Sequence, residues 1–367
     1  MRDVLKYRNG QGSQELPVRD ILSLRPWKGQ VGIEIEVEGN KFPKYEEDGS
    51  RKHRLIPKRW DYRKDGSLRG VDNAEYVTNG PVKFSDVPDV VDSLWDMFDE
   101  YGSVLDVSNR TSVHVHLNAQ EFYLNRLCAF VALYMSVEEI LTEWCGQHRV
   151  GNMFCLSTRD APAVVQNIKR FLTNKWRGRG VSPFPDYLHY SGLNLQALCK
   201  YGSIEVRTMR GALEPSEVTR WVSVLQHIYD LSDTFPDPRD ICENFSGHDP
   251  LDYARMVLGE HCEQILQDVS FAPDKIRDSL YDGIRIAQDL CYCRNWSDFK
   301  KSDLKPDAFN RNAKNVLQSI NEYFPQISNS VVIGDYVAGD FTISPTPVEY
   351  IPIDMTTATH DEHYEEF

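Results

Sequence analysis

Residues 31–39 read VGIEIEVEG, and their spacing is the first chemical signal in the chain. In an extended strand, successive side chains point to opposite faces. Val31, Ile33, Ile35 and Val37 then share one face, and Glu34, Glu36 and Glu38 the other. Glutamate is depleted in strands, and carboxylates two residues apart on one face lie about 7 Å from each other. At an effective dielectric of about 20, that repulsion costs on the order of 2 kcal/mol per neighbouring pair. Solvent, basic neighbours or a divalent cation held by oxygen ligands must offset it.

The same design recurs twice. In VHVHL at 113–117, Val113, Val115 and Leu117 face one side, and His114 and His116 the other. In IEVR at 204–207, Ile204 and Val206 turn inward while Glu205 and Arg207 share the opposite face. Glu75, in AEYVTNG, adds a carboxylate if its strand pairs beside these. Each motif alone has a plain reading: a solvated acidic strand, a polar His-x-His face, a surface ion pair. Together they would need three coincidences of one polarity. The pattern therefore predicts a sheet with helices on its apolar face and a polar face lining a cleft. Carboxylates with one imidazole suit Mg²⁺ or Mn²⁺. Such ions serve phosphoryl chemistry, with arginines neutralising phosphate oxygens. Arg207 and Arg210 are the candidates for that role.

The rest of the chain must position these strands. A short helix is expected at 17–25, ahead of Pro26. A charged insertion at 40–59 carries Arg51, Lys52, Arg54, Lys58 and Arg59, read as a solvated loop with room for phosphate contacts. WDYRKDGSL at 60–68 reads as a strand entering a D-G turn, and AEYVTNGPV at 74–82 as its return partner. Residues 86–101 are amphipathic with helical spacing, and 120–144 form a long apolar helix suited to burial against the sheet. Residues 145–189 are irregular, with Lys169, Arg170, Lys175, Arg177 and Arg179. GLNLQAL at 192–198 and GSIEVRTMR at 202–210 read as adjacent strands. Helical periodicity then dominates at 215–233, 249–268, 273–294 and 306–323, with breaks at Pro236, Pro250, Pro273 and Pro306. The expected organisation is a leader at 1–30, a catalytic domain at 31–214, a helical region at 215–330 and an acidic, disordered tail at 331–367.

Composition narrows the function. The chain has 367 residues and a formal net charge of −14. Eight acids and no Lys or Arg lie from Asp335 to the end, leaving 47 acids against 41 bases in the body. That mild balance argues against general nucleic-acid binding. No apolar run approaches a membrane span, the first 20 residues have no secretory apolar region, and eight cysteines show no disulfide or zinc spacing. A reduced, cytoplasmic protein is expected.

Five motifs in order carry a family resemblance: GxExE at 32–36, DGSL…AEYVT at 65–78, VHVHLN at 113–118, GLNLQAL at 192–198 and IEVRTMRGAL at 204–213. Over about residues 30–215 the chain resembles the amidoligase family, which is similar to glutamine synthetase. That resemblance implies an α+β fold with a curved antiparallel sheet of the glutamine synthetase-like type backed by helices. It also implies an ATP-dependent carboxylate–amine ligase, in which ATP phosphorylates a carboxylate and an amine attacks the acyl phosphate. By motif, Glu34, Glu36, Glu75 and Glu205 would hold Mg²⁺ or Mn²⁺, with His114 as nitrogen ligand and Glu205 also counted in the catalytic set. His116 would lie near the nucleotide, Arg207 and Arg210 would stabilise the phosphoryl group or the substrate carboxylate, and Asn194 would contact substrate. Asp65 is assigned to the substrate region or to capping its own turn. A glutamine amidotransferase is a partner often associated with the family.

Two positions depart from the family pattern. Thr111-Ser112 stands where a glycine usually precedes the His-x-His strand, and His189-Tyr190 where a basic residue is common. Two other classes remain: a guanidino-kinase-like phosphotransferase, separable by a stable phosphorylated product, and a non-catalytic binding or assembly module.

Overall fold

The computed structural model describes residues 17–22, 24–44, 54–70, 72–158 and 189–291. The alternating stretches form strands: β1 (Val31–Asn40), β2 (Trp60–Arg63), β3 (Asn73–Thr78), β4 (Val104–Asp106), β5 (Ser112–Asn118), β6 (Leu193–Asn194) and β7 (Ser203–Arg210). They make one antiparallel sheet in the order β2-β3-β1-β5-β7-β6, with β4 pairing the end of β1. The helices are α1 (Val18–Leu22), α2 (Val87–Tyr101), α3 (Leu124–Trp144), α4 (Gln196–Tyr201), α5 (Pro215–Leu231), α6 (Arg239–Gly247), α7 (Pro250–Leu258), α8 (Cys262–Asp268) and α9 (Pro273–Cys291). The architecture is α+β, an antiparallel sheet backed by helices.

Period-2 alternation places the apolar residues on the helical side. Ile33, Ile35, Val113, Val115, Leu117, Ile204 and Val206 are at most 1% exposed and share one core with α2, α3 and α5. Trp60 Nε1 donates to the Val90 carbonyl of α2 at 2.9 Å, and Tyr134 of α3 meets Thr208 of β7 at 2.7 Å between hydroxyls. α3 buries residues on every side, as a helix must when the sheet lies on one flank and other helices on the other. α9 runs along that outer flank.

The helix starts follow from local chemistry. α5 opens on a capping box between Glu214 and Glu217 with Pro215 in its first turn, and α2 closes on Gly102 at φ 67°. Among the described residues, no helix is long and apolar enough to cross a membrane, and the described cysteines are free thiols.

Several expectations shift. GLNLQAL is a strand only at Leu193–Asn194 and then turns into α4. Asn194 Oδ1 accepts from the Gln196 amide at 2.9 Å, and Gln-Ala-Leu supplies good helix formers before Gly202 ends the turn at φ 73°. The helix expected over 249–268 divides into α7 and α8, because Gly259 takes φ 58° and the His227 ring occupies the space a Cβ would need. α6 arises directly behind Pro238 and shortly after Pro236, which reads in sequence only as a break. Arg54, Lys58 and Arg59 of the insertion are exposed. Arg51, Lys52, the basic residues of 169–179, the helix expected at 306–323 and the acidic tail lie outside the described residues.

Where α9 crosses α3, Gly283 meets backbone. A Cβ there would stand 2.5 Å from the Ser136 carbonyl oxygen and 2.8 Å from that of Met135. Alanine normally stabilises a helix interior by about 1 kcal/mol over glycine. At this contact overpacking dominates, and Gly283→Ala is expected to destabilise by about 1–3 kcal/mol in urea unfolding. A gain in stability would show that α9 does not pack this closely.

Candidate functional site

Cross-strand register assembles the polar face. Glu34 of β1 lies opposite His114 of β5, Glu36 opposite Glu75 of β3, and Glu205 of β7 opposite both His116 of β5 and Asn194 of β6. Opposed residues project to the same side of a sheet. Glu34, Glu36, Glu75, His114, His116, Asn194 and Glu205 therefore converge, although 171 positions separate the first from the last. Glu36, His114, Asn194 and Glu205 are buried. Glu38, the third acid of the opening strand, instead accepts the Arg69 amide at 2.6 Å and anchors the loop after β2.

With Glu36 ionised, the hydrogen bonds fix the His114 tautomer. Ser112 Oγ donates to Glu36 Oε2 at 2.6 Å and sits 2.7 Å from His114 Nε2. A hydroxyl has one proton, so with Glu36 ionised it goes to the carboxylate, and His114 Nε2–H donates to Ser112. In the neutral ring, Nδ1 then carries a lone pair. That atom lies 3.2 Å from Glu34 Oε2, 3.7 Å from Glu205 Oε1 and 3.4 Å from Arg207 Nη1. That lone pair can accept from Arg207, and a cation between it and the two carboxylates would turn a repulsive contact into an attractive one.

His116 presents the same problem. Its Nδ1 is 3.1 Å from Ser203 Oγ, and its Nε2 is 3.4 Å from Glu34 Oε1 and 3.9 Å from Glu205 Oε1. Nε2 is buried without a well-formed hydrogen bond. One donor atom each from Glu34, His116 and Glu205 lies within 4.8 Å of the others, close enough to share a single cation. This donor set, carboxylate oxygens with imidazole nitrogen, fits a hard divalent ion. The structure thus groups His116 with Glu34 and Glu205, and puts His114 Nδ1 against the same two acids.

The remaining candidates have definite places. Arg207 pairs with Glu205 and approaches the Phe154 carbonyl at 3.5 Å from Nε. Asn194 Nδ2 donates to Glu205 Oε2 at 2.6 Å, so it orients that carboxylate. Asp65 accepts the Ser67 amide at 2.7 Å in its turn and lies near enough to act electrostatically on Glu36 and Glu75. Arg210 pairs with Glu217 of α5 and donates to the Cys145 carbonyl at 3.3 Å. None of its ion pairs or hydrogen bonds among the described residues reaches the carboxylate cluster.

Burial raises the proton affinity of every acid here, and neighbours decide the outcome. Glu34 ends well below the ordinary carboxylate range because contacts with His114 and His116 overcome burial. Glu205 is likewise lowered, against burial, by His116 and Arg207. Glu36 stays above it, since burial outweighs His114, Ser112 and Arg207. Glu75, half-buried and beside Glu34, Glu36 and Asp65, is pushed up to about 8. The His116 ring resists burial and is raised by Glu205 and Glu34.

A cleft of about 170 Å³ opens beside Glu34 and His116. Trp27, Arg63, Thr78 and Tyr201 help line it, and the Tyr201 ring stands edge-on to His116 at 5.9 Å between centroids. Trp27 and Tyr201 went unremarked in sequence. Their only signal is an aromatic residue next to glycine-bearing turns, which is common in any chain.

Glu75 gives a pH prediction for the metal-free protein. Its folded pKa exceeds the unfolded value, so the folded state binds more protons between about pH 4.5 and 8 and loses stability as pH rises through that window. In chelator, Glu75→Gln is expected to flatten this fall and raise stability at pH 8.5 by on the order of 2 kcal/mol. Parallel unfolding curves for the two proteins across pH 5–9 would contradict the crowding.

Residues 65–229 match the family model described as "Putative amidoligase enzyme". No curated protein matches the chain. The matched span runs from the Asp65 turn through most of α5 and contains Glu75, His114, His116, Asn194, Glu205, Arg207 and Arg210, while Glu34 and Glu36 precede it. Over residues 65–229, therefore, the chain is similar to the amidoligase family, whose name is that of an amide-bond-forming enzyme.

Proposed function

We propose that the protein is an ATP- and Mg²⁺-dependent carboxylate–amine ligase acting through an acyl phosphate. The observation that supports this reading is the convergence of Glu34, Glu36, Glu75 and Glu205 with His114 and His116 on one sheet face, beside Arg207 and an open cleft. Glu34, His116 and Glu205 would hold one Mg²⁺ or Mn²⁺, with His114, Glu36 and Glu75 completing a second donor group. When bound, the ions would screen the phosphate oxygens and polarise the γ-phosphoryl group.

The chain's own groups account for the rest. The cleft beside Glu34 and His116, with Trp27 and Tyr201 on its walls, takes the nucleotide. A substrate carboxylate oxygen attacks the γ-phosphorus, the bond to the bridging oxygen breaks, and ADP leaves. Arg207, exchanging Glu205 for phosphate, neutralises the charge that develops there. Asn194 keeps Glu205 oriented meanwhile. The amine nitrogen then attacks the acyl carbon and loses a proton, and phosphate departs, leaving the amide. Burial of Glu36, His114 and Glu205 keeps water from the acyl phosphate. Arg210 joins the charge stabilisation only by giving up Glu217.

The test is phosphate release from ATP and Mg²⁺ with pools of carboxylic acids, with and without ammonia, amino acids or peptides as amines. Release that needs both an acid and an amine, with an amide product by mass, is the expected result. Release with a guanidine alone, and that guanidine phosphorylated, would replace the ligase with a kinase. Absence of release together with absence of ATP and Mn²⁺ binding by calorimetry would leave a binding module. Glu34→Ala and Glu205→Ala are each expected to lower kcat by about 100-fold or more and to weaken Mn²⁺ binding, with the fold retained. Unchanged turnover in both would remove the metal assignment.

A further inference from the structure

β7 is not a regular strand, and the group that accommodates its irregularity lies outside the sheet. Between the pairs Val115–Val206 and Val113–Met209, Arg207 and Thr208 together oppose the single residue His114. Two residues against one is a β-bulge. A bulge withdraws backbone groups from the ladder, and buried carbonyls then need other donors.

One guanidinium supplies them. Arg149 Nε donates to the Thr208 carbonyl at 3.0 Å, and Nη2 to the Arg207 carbonyl at 2.7 Å. Arg149 sits in a single 3₁₀ turn, Gln147–Arg149, shortly after α3, and is 1% exposed. None of its hydrogen bonds or ion pairs among the described residues is to a carboxylate, and Nη1 is buried without a partner. A buried, uncompensated guanidinium is costly. Its planar fork is also the one side chain that spans two adjacent carbonyls rigidly.

The two bulged residues face different layers. Thr208 turns to α3, where its hydroxyl meets Tyr134, while Arg207 enters the polar face against Glu205 and His114. We propose that Arg149 is a positioning residue: by clamping the two carbonyls of the bulge, it sets the direction in which Arg207 enters the carboxylate cluster. The catalytic consequence rests on the ligase reading; the aim of Arg207 does not.

The experiment uses the full chain with Arg149→Met and with Arg149→Lys, whose compact head lacks the fork. The first readout is the Arg207 Nε–Hε resonance, assigned by its loss in Arg207→Gln. In both variants it is expected to leave its separate position and merge with those of solvent-exposed arginines. An unchanged resonance in folded variants, or no separate resonance in the unmodified protein, would overturn the proposal. So would failure of both variants to fold, which would assign Arg149 to the fold alone. The second readout is kinetic. kcat is expected to fall about tenfold with KM for ATP nearly constant, and Arg207→Gln to add little to Arg149→Met. Unchanged kcat in an active enzyme, or additive losses, would count against it. If the unmodified protein turns over no substrate pair, the ligase reading fails and the resonance still decides Arg149.

Discussion

Crowded carboxylates on a largely buried sheet face are the constraint on which the rest of this structure turns. Glu36 and Glu205 are each 5% exposed, so water does little to screen them, and each must be answered by a neighbour. Register supplies the answer unevenly. Glu34 meets His114 and Glu205 meets His116, acid against base, and both acids are held ionised. Glu36 meets Glu75, acid against acid, and both are pushed toward the neutral form. A divalent cation of the kind proposed would favour the ionised form of all four acids.

The helical layer is more than a backing for the sheet. α3 reaches the polar face through β7: Tyr134 holds Thr208 from below, and the chain just beyond α3 delivers Arg149 to the carbonyls of Arg207 and Thr208. The bulge opposite His114 also breaks the alternation that would otherwise set Arg207 and Arg210 on opposite faces, bringing Arg210 opposite Ser112. Arg210 then pairs with Glu217, the residue that closes the capping box of α5. One irregularity in one strand thus links the core, a helix start and the polar cluster.

The cleft sits at one end of this cluster. Glu34 and His116 belong both to its wall and to the metal-competent group. Its wall combines aromatic surface, at Trp27 and Tyr201, with the charged and polar groups of Glu34, Arg63 and His116.

Much of the site was present in the order of residues along three short motifs. Alternation in VGIEIEVEG, VHVHL and IEVR assigns each side chain to a face, because strand pleating is a local property of period two. The apolar length of 120–144 likewise announced a buried helix, and the family match covers most of these elements. Other features lie between segments. Which carboxylate opposes which imidazole depends on register, and whether Arg210 joins Arg207 depends on a bulge. GLNLQAL reads locally as a strand, and it turns to helix only because Asn194 gives its amide to Glu205 and its carbonyl to the next turn. Arg149 is a lone basic residue in an irregular stretch, and nothing near it in the chain distinguishes it. Its role comes from carbonyls 58 and 59 positions away. The sequence by itself determined which residues share a face. Only the tertiary structure decided which of them touch, because pairing across strands is fixed by contacts that no local pattern encodes.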